Sequence, residues 1–303
     1  MPRAALYDRT GEPDVLYVGE DSNAAPGDGE VVLRVHAAGL NPFDAKLLSG
    51  FITSDDALPR RVASDVAGTV TAVGTGAVYW DGTAATVGDE VLGRAAGAAA
   101  ESVVAAASEL VRRPSEVPVD VAGGLWVAGL TAVSVLATVP VGAGDTVLVG
   151  GAAGAVGIIA AQLAVEAGAR VIGTASTRNH ELLRSVGVEP VVYGEGLADR
   201  LADAGITAVY DCHGRDALDA GVALGVPVAR MVAIAAYAAI DELGVQNVER
   251  EARTARNLAS LVDRVARGEL RLPVAATFAL DDVVAAFHEL ESAHAPGKII
   301  VTP

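Results

Sequence analysis

The sequence predicts an α/β protein with two parts, a β-rich region and a doubly wound parallel sheet. A glycine-rich turn at residues 151–157 joins an apolar strand to an alanine-rich helix and a second strand. Strand and helix patterns continue to alternate after this turn, which is typical of a parallel sheet with helices on both faces. The first 120 residues instead contain short strand patterns separated by glycines, which favours a compact, barrel-like domain.

Elements of the first domain follow from local patterns. Strands are predicted over residues 4–7, 15–18, 31–38, 66–73 and 90–92, with a further candidate over 101–111. A helix is predicted after Asn41, because Pro42 fixes a backbone angle suited to a first helical turn and Asn41 is a favourable cap. We expect this domain to comprise residues 1–120 together with 270–303.

The second domain is predicted to span residues 121–269. Helices begin around Val119 and recur over 155–167, 178–186, 197–204, 216–223 and, as a long amphipathic helix, 248–268. Strands alternate with them over 146–149, 170–174, 190–193, 208–212 and 229–235. A strand over 274–279, a helix over 281–294 and a strand over 298–301 then return to the first domain.

The glycine turn predicts dinucleotide binding. Its spacing is G-x-x-G-x-x-G within a βαβ unit of about 30 residues, the context that a nucleotide fingerprint requires. Glycines without a Cβ let backbone amides approach a diphosphate, and the helix N-terminus adds partial positive charge. The alternative is a turn that only packs the helix tightly on its strand. The candidate contacts are Gly151, Ala152, Gly154, Ala155, Val156 and Gly157.

The end of the second strand favours NADPH over NADH. An NAD site usually places a carboxylate about 20 residues after the glycines, but none occurs here before Glu181. Thr174, Ser176 and Arg178 lie there instead, and a guanidinium binds a 2′-phosphate well because it stays charged and can form two parallel hydrogen bonds. Alternatively, Ser176 or Thr177 caps the next helix and Arg178 lies in its solvated first turn; both interpretations are compatible.

The amino-acid composition argues against several classes of function. The 303 residues are 51% hydrophobic and carry a formal net charge of −16, which argues against nucleic acid or an anionic membrane as partner. Cys212 is the single cysteine, so neither an internal disulfide nor a multi-cysteine metal site is expected. Apolar runs are too short for a membrane span and the first residues lack a long apolar signal segment, so we expect a cytoplasmic protein.

Several motifs together resemble the medium-chain dehydrogenase/reductase superfamily, specifically its zinc-independent quinone oxidoreductase branch. The resemblance covers nearly the whole chain and implies an N-terminal GroES-like domain followed by a Rossmann domain. It is carried by residues 38–44 (AGLNPFD), 65–74 (DVAGTVTAVG), 87–91 (VGDEV), 129–132 (GLTA), 147–157 (VLVGGAAGAVG) and 296–301 (PGKIIV).

The resemblance implies that no catalytic zinc is bound. Zinc-dependent members use Cys, His and Glu-type ligands in the first domain, as zinc chemistry requires. Where the resemblance places the Cys, this chain has Asn41, and where it places the His-Glu pair, the chain has Ser64-Asp65. The four-cysteine structural lobe is absent from the sequence.

The implied activity is hydride transfer from NADPH to a quinone or activated alkene in a cleft between the two domains. The resemblance places Thr131 near the nicotinamide and Asn41 at the cleft. A buried helical threonine and a simple helix cap are the alternatives. Lys46 replaces a tyrosine common in related reductases, and would hydrogen-bond a substrate carbonyl or supply a proton; the alternative is a solvated helix lysine.

Other positions also follow from the resemblance. Asp211 begins an Asp-x-x-Gly turn at a strand end, which suits cofactor contact. His294 and Lys298 match the closing motif, where Lys298 either is structural or faces the cofactor. Ala155 replaces a family glycine, and its methyl group is tolerable if the residue is helical.

The segment 237–247 is short where the family carries a longer loop and an outer strand. That outer strand often builds the dimer, so the shortness of this segment leaves homodimer formation open.

Two other functions remain open. One is an enoyl reductase acting on thioester-linked substrates, which requires a basic surface or long tunnel for a phosphopantetheine arm; the sequence shows no basic patch. The other is a nucleotide-sensing or structural protein that keeps the fold without turnover, since fold does not fix function.

Overall fold

A computed structural model describes residues 1–21, 25–292 and 296–303. The chain divides into two compact units. The first comprises Met1–Val127, Thr254–Glu269 and Pro273–Pro303, and the second comprises Ala128–Arg253 and Leu270–Leu272. The helix near residue 260 thus groups with the first unit, whereas the sequence pattern placed it with the second.

Helices and strands follow one another along the described chain. Up to the glycine turn they are β1 Arg3–Tyr7, β2 Tyr17–Glu20, β3 Glu30–Leu40, α1 Pro42–Leu48, β4 Arg60–Arg61, β5 Asp65–Val73, β6 Glu90–Arg94, β7 Ser102–Ala106, β8 Leu110–Arg112, α2 Val119–Ala122, α3 Leu125–Thr138 and β9 Thr146–Gly150. After it they are α4 Ala155–Glu166, β10 Arg170–Thr174, α5 His180–Ser185, β11 Glu189–Val191, α6 Leu197–Arg200, β12 Ala208–Asp211, α7 Asp216–Ala223, β13 Met231–Ala233, α8 Tyr237–Leu243, β14 Gln246–Asn247, α9 Ala255–Ala266, β15 Val274–Ala279, α10 Val283–Glu291 and β16 Lys298–Thr302.

The first unit is organised around the long strand β3. Among the described residues, β3 lies in a sheet of order β15-β16-β3-β5-β6-β8, and β7 also pairs with it. Register shifts after Val32 and Val35 bend β3, as bulges do, so that successive parts of one strand reach different partners. A separate sheet has the order β2-β1-β4. At the C-terminal end, β16 pairs antiparallel with β3, and Phe287 of α10 is fully buried in this core.

The second unit contains a six-stranded parallel sheet in the part of the chain that is described. Its order is β11-β10-β9-β12-β13-β14, the doubly wound arrangement in which strand order reverses between β9 and β12. Gly157, Ala160, Ala161 and Ala164 are buried on the inner face of α4, so small side chains let this helix approach the sheet closely. The α/β fold class is therefore confirmed.

Several boundaries differ from the sequence prediction. The long helix predicted from 248 begins only at Ala255, because Thr254 has extended backbone angles and its side chain accepts the Asn257 N–H at 3.2 Å. A 3₁₀ helix over Pro13–Val15 delays β2 to Tyr17, and a second one over Ala107–Glu109 divides the 101–111 candidate into β7 and β8. Segment 237–247 forms α8 and the two-residue edge strand β14. His294 lies outside the described residues.

Candidate dinucleotide site and a buried charged cluster

The turn after β9 has the backbone geometry that its glycines permit. Gly151 has φ +68°, in the left-handed region that favours glycine. A Cβ on Gly157 would lie 2.3 Å from the carbonyl oxygen of Gly151, so no other residue fits where α4 crosses the turn. Ala155 is the first helical residue of α4, the condition under which its methyl group is tolerated.

Thr174 fixes this turn from the neighbouring strand β10. Its hydroxyl accepts the Gly151 N–H at 2.9 Å, and its carbonyl accepts the Ala152 N–H at 3.0 Å. Thr174 is buried. Its described contacts therefore position the turn, and the Ala152 amide is already used within the protein.

The N-terminus of α4 provides amides for an anion. Gly154 is its N-cap residue and makes no side-chain capping bond. The first N–H groups of a helix have no intrahelical partner, so those of Ala155 and Val156, both partly exposed, lack a side-chain cap as well. Uncapped amides beside a glycine turn at the carboxyl edge of a doubly wound sheet fit the diphosphate of a dinucleotide.

The residues after β10 lie at the same edge, because β9 and β10 are adjacent and parallel. Ser176 precedes a 3₁₀ helix over Thr177–Asn179 and makes no capping bond to it; its Oγ accepts from Asn179 Nδ2 at 3.3 Å. Arg178 lies in that helix and is exposed. This placement retains both interpretations of Arg178, a 2′-phosphate ligand and a solvated first-turn residue.

Asp211 at the end of β12 is fully buried and holds a loop. Its Oδ1 accepts the N–H groups of His213 at 3.1 Å and Gly214 at 2.7 Å, and its Oδ2 accepts that of Ala236 at 3.2 Å. Burial raises the pKa of Asp211, partly offset by these amides. The contacts described for this side chain thus shape the switch point at which the strand order reverses.

In the first unit, the structure joins Lys298, Asp65 and Asn41 in a buried cluster. Lys298 Nζ donates to Asp65 Oδ2 at 2.6 Å and to Asn41 Oδ1 at 2.5 Å. The side chains of Lys298 and Asp65 are only 2% and 0% exposed. Asp65 Oδ1 also accepts the Val127 N–H in the first turn of α3 at 2.9 Å. The described contacts of Lys298 therefore indicate a structural role, as one partner of a buried ion pair.

Two glycines make room for the lysine chain, and a third lies against β3 beside them. A Cβ on Gly124 would lie 2.5 Å from Lys298 Cγ, and one on Gly39 would lie 2.6 Å from its Cε. A Cβ on Gly123 would lie 2.5 Å from that of Ala37 on β3. The aliphatic stem thus runs through a glycine-lined slot to reach the oxygens of Asn41 and Asp65, contacts that burial makes essential for an ammonium.

Asp44 adjoins this cluster and is not among the residues that the sequence pattern singled out. As the third residue of α1, its Oδ2 accepts the Asn41 N–H at 2.8 Å, half of a capping box. Burial raises the pKa of Asp44 to about 7, aided by the Asp65 charge and opposed by the Asn41 amide and Lys298. The Asn-x-x-Asp spacing indicated the cap, but not the neighbouring charges from distant strands.

The two remaining candidate residues, Lys46 and Thr131, each lie within a helix. Lys46 is half-buried in α1, and Thr131 is buried in α3. Thr131 belongs to the second unit, whereas Asn41 and Lys46 belong to the first. Each unit therefore carries part of the predicted set.

The residues at the zinc position do not fit a zinc ion. Asn41 and Asp65 already bind the Lys298 ammonium, and a carboxylate and an amide without Cys or His are not a zinc donor set. Within the described ranges, no cluster of three or more His, Cys, Asp or Glu side chains could hold a metal. In the same ranges, no helix is long and apolar enough to cross a membrane.

Comparison with known proteins identifies two family regions. Residues 27–118 match the alcohol dehydrogenase GroES-like domain family, and residues 179–301 match a family described as zinc-binding dehydrogenase. The second description covers a region in which Cys212 is the only cysteine.

Full-length relatives share the fold. The chain is 29% identical to a quinone oxidoreductase of Pseudomonas aeruginosa over 331 residues, covering 100% of both chains, whereas it spans 65%, 54% and 53% of the length of three other curated relatives. The solved quinone oxidoreductase of Coxiella burnetii has a TM-score of 0.90 at 28% identity, covering 100% of this chain and 99% of that one. A mycobacterial protein solved with NADPH has a TM-score of 0.88 at 31% identity, covering 99% and 100%. The chain therefore belongs to the quinone oxidoreductase branch of the medium-chain dehydrogenase/reductase superfamily.

Proposed function

We propose that this protein is an NADPH-dependent oxidoreductase that reduces a quinone or an activated alkene without a metal. The observation that carries the proposal is the uncapped N-terminus of α4 at the glycine turn, with Arg178 in the 3₁₀ helix that follows the adjacent strand β10. The full-length quinone oxidoreductase relatives and the NADPH complex of a mycobacterial homologue support it.

When bound, NADPH supplies the hydride from its nicotinamide ring. The amides of Ala155 and Val156, with the helix dipole behind them, would hold the diphosphate. Arg178 would bind the 2′-phosphate through its guanidinium. Thr174 and Asp211 act indirectly, by fixing the two loops at the switch point.

Substrate reduction needs little acid catalysis, because a quinone is a strong electron acceptor and the protein mainly orients the reactants. We assign Lys46 as the group that hydrogen-bonds a substrate carbonyl or supplies a proton, and Thr131 as a neighbour of the nicotinamide. Asn41 has its amide oxygen bound to Lys298, which favours a role in shaping the substrate region.

Absence of a metal is part of the proposal, and Lys298 supports it. The ammonium supplies the positive charge that the oxygens of Asn41 and Asp65 require. The chain has one cysteine, and the described contacts of these two oxygens include no thiolate. Treatment with a chelator is therefore expected to leave turnover unchanged.

A two-step experiment tests the assignment. NADPH fluorescence titration measures binding, and NADPH oxidation is then followed with a panel of small quinones and enones and with crotonyl-CoA. Binding with turnover of quinones or enones supports the proposal. Turnover of crotonyl-CoA alone would favour the thioester reductase, binding without any turnover would favour a sensor, and lack of NADPH binding would refute the redox assignment.

A further inference from the structure

Arg253 carries a half-buried guanidinium without a described partner. Its Nε is buried and makes no hydrogen bond. Arg60 and Arg113 also have an unbonded buried Nε, but their other nitrogens bind Ser54 O and Glu90, respectively. Among the described residues, no hydrogen bond or ion pair of the Arg253 side chain is found. A buried donor without a hydrogen-bond partner costs free energy, so the Nε–H group of Arg253 needs an acceptor.

The charges around Arg253 point to an anion from outside the chain. The protein has 38 acidic and 22 basic residues other than histidine, and arginines such as Arg61, Arg170 and Arg230 each bind a carboxylate. Arg253 instead lies in a turn with another arginine, its N–H donating to Arg250 O at 2.9 Å. Burial and the Arg250 charge lower the pKa of Arg253. A half-buried guanidinium with a second arginine charge nearby suits a carboxylate, sulfonate or phosphate.

The turn that contains Arg250 and Arg253 lies after the carboxyl end of a strand of the parallel sheet. It follows β14, the last strand of the second half of the parallel sheet. Ligands of doubly wound sheets bind outside the carboxyl ends of the strands. The glycine turn lies at the carboxyl end of β9 in the other half, so Arg253 belongs to a different region of the same edge.

We propose that Arg253 and Arg250 form a binding site for the anionic group of a small-molecule substrate. The assignment to a substrate rests on the proposed oxidoreductase function, whereas anion binding itself does not. The chemistry requires a carboxylate, sulfonate or phosphate on the molecule that is reduced, and a neutral substrate of the same shape would gain nothing from the site.

A matched pair of substrates tests the proposal. For 1,4-naphthoquinone-2-sulfonate, Arg253→Gln is expected to raise KM at least tenfold, while KM for neutral 1,4-naphthoquinone stays unchanged. Arg253→Lys, which keeps the charge but loses the planar fork, should lie between. Arg267→Gln is the control, because that exposed arginine is paired with Glu269. Inorganic phosphate should compete with the sulfonate in the wild type but not in Arg253→Gln.

The outcomes separate the site from the function. Equal KM changes for both quinones, or a loss of NADPH affinity without any change in sulfonate preference, would overturn the substrate assignment. If the wild type reduces no quinone, the proposed function fails, and calorimetry with inorganic phosphate decides the site alone. A component of phosphate binding that Arg253→Gln removes and Arg178→Ala leaves intact then supports an anion site at Arg253, and phosphate titrations of the wild type and Arg253→Gln that coincide refute it.

Discussion

Lys298 Nζ lies 2.6 Å from Asp65 Oδ2, and almost no solvent reaches either side chain. Removing one partner of a buried ion pair leaves an uncompensated charge, which typically costs about 3–5 kcal/mol. We therefore expect Lys298→Met to lower the free energy of unfolding by about that amount in urea denaturation, and the double variant Lys298→Met/Asp65→Asn to recover part of it. Arg267→Gln, at an exposed pair, should cost less than about 1 kcal/mol. A small effect of Lys298→Met would contradict the structural role.

Asp44 should make stability depend on pH below neutrality. Its pKa is raised to about 7 in the folded protein, compared with about 3.9 for an unperturbed aspartate. The folded state therefore binds the proton more tightly, and this stabilisation is full below about pH 4 and lost as pH rises towards 7. Relative to Asp44→Asn, wild-type stability should fall across this window and level off above it. Chemical denaturation at intervals of half a pH unit measures the difference, and parallel curves would refute it.

Arg178→Ala should discriminate between the two nicotinamide cofactors. Losing a charged hydrogen bond of about 1.5–3 kcal/mol weakens binding roughly 10- to 100-fold, but only for the cofactor with a 2′-phosphate. We expect the Kd and KM for NADPH to rise by this factor and those for NADH to change little. Arg184→Ala, at an exposed arginine in α5, is the control. Equal effects on NADPH and NADH would refute the assignment of Arg178.

Thr174→Val should weaken the glycine turn without changing side-chain size. The substitution removes the acceptor of the partly buried Gly151 N–H, and an amide left unsatisfied in the protein interior costs up to about 1–3 kcal/mol. We expect a loss of stability in this range together with weaker binding of both NADPH and NADH, measured by denaturation and fluorescence titration. Thr174→Ser keeps the hydroxyl and should restore most of both. Weakened binding in the serine variant as well would mean that the methyl group matters instead.

Local patterns predicted the second unit well. The strand before Gly151, the helix from Ala155 and the strand over Arg170–Thr174 were placed closely because their signals lie within a few residues of one another. The α9 boundary was wrong because residues 248–254 have helix-compatible composition, and only the extended backbone of Thr254 marks the actual start.

Contacts between distant residues were beyond sequence reasoning. Nothing near Asp65 indicates that its counter-charge is Lys298, and nothing near Thr174 indicates that its hydroxyl binds Gly151, because each pair meets only when strands align. The prediction that Lys298 contacts the cofactor therefore rested on resemblance alone. Asp44 was overlooked for the same reason, since its burial depends on the elements that close over α1.

The buried pair of Lys298 and Asp65 in the glycine-lined slot also limits when the first unit can be completed during synthesis. Asp65 is translated 233 residues before the lysine that neutralises it, and β15 and β16, which complete the same sheet, come equally late. During synthesis, the sheet of the first unit therefore cannot be completed until the residues of the intervening parallel sheet have been translated.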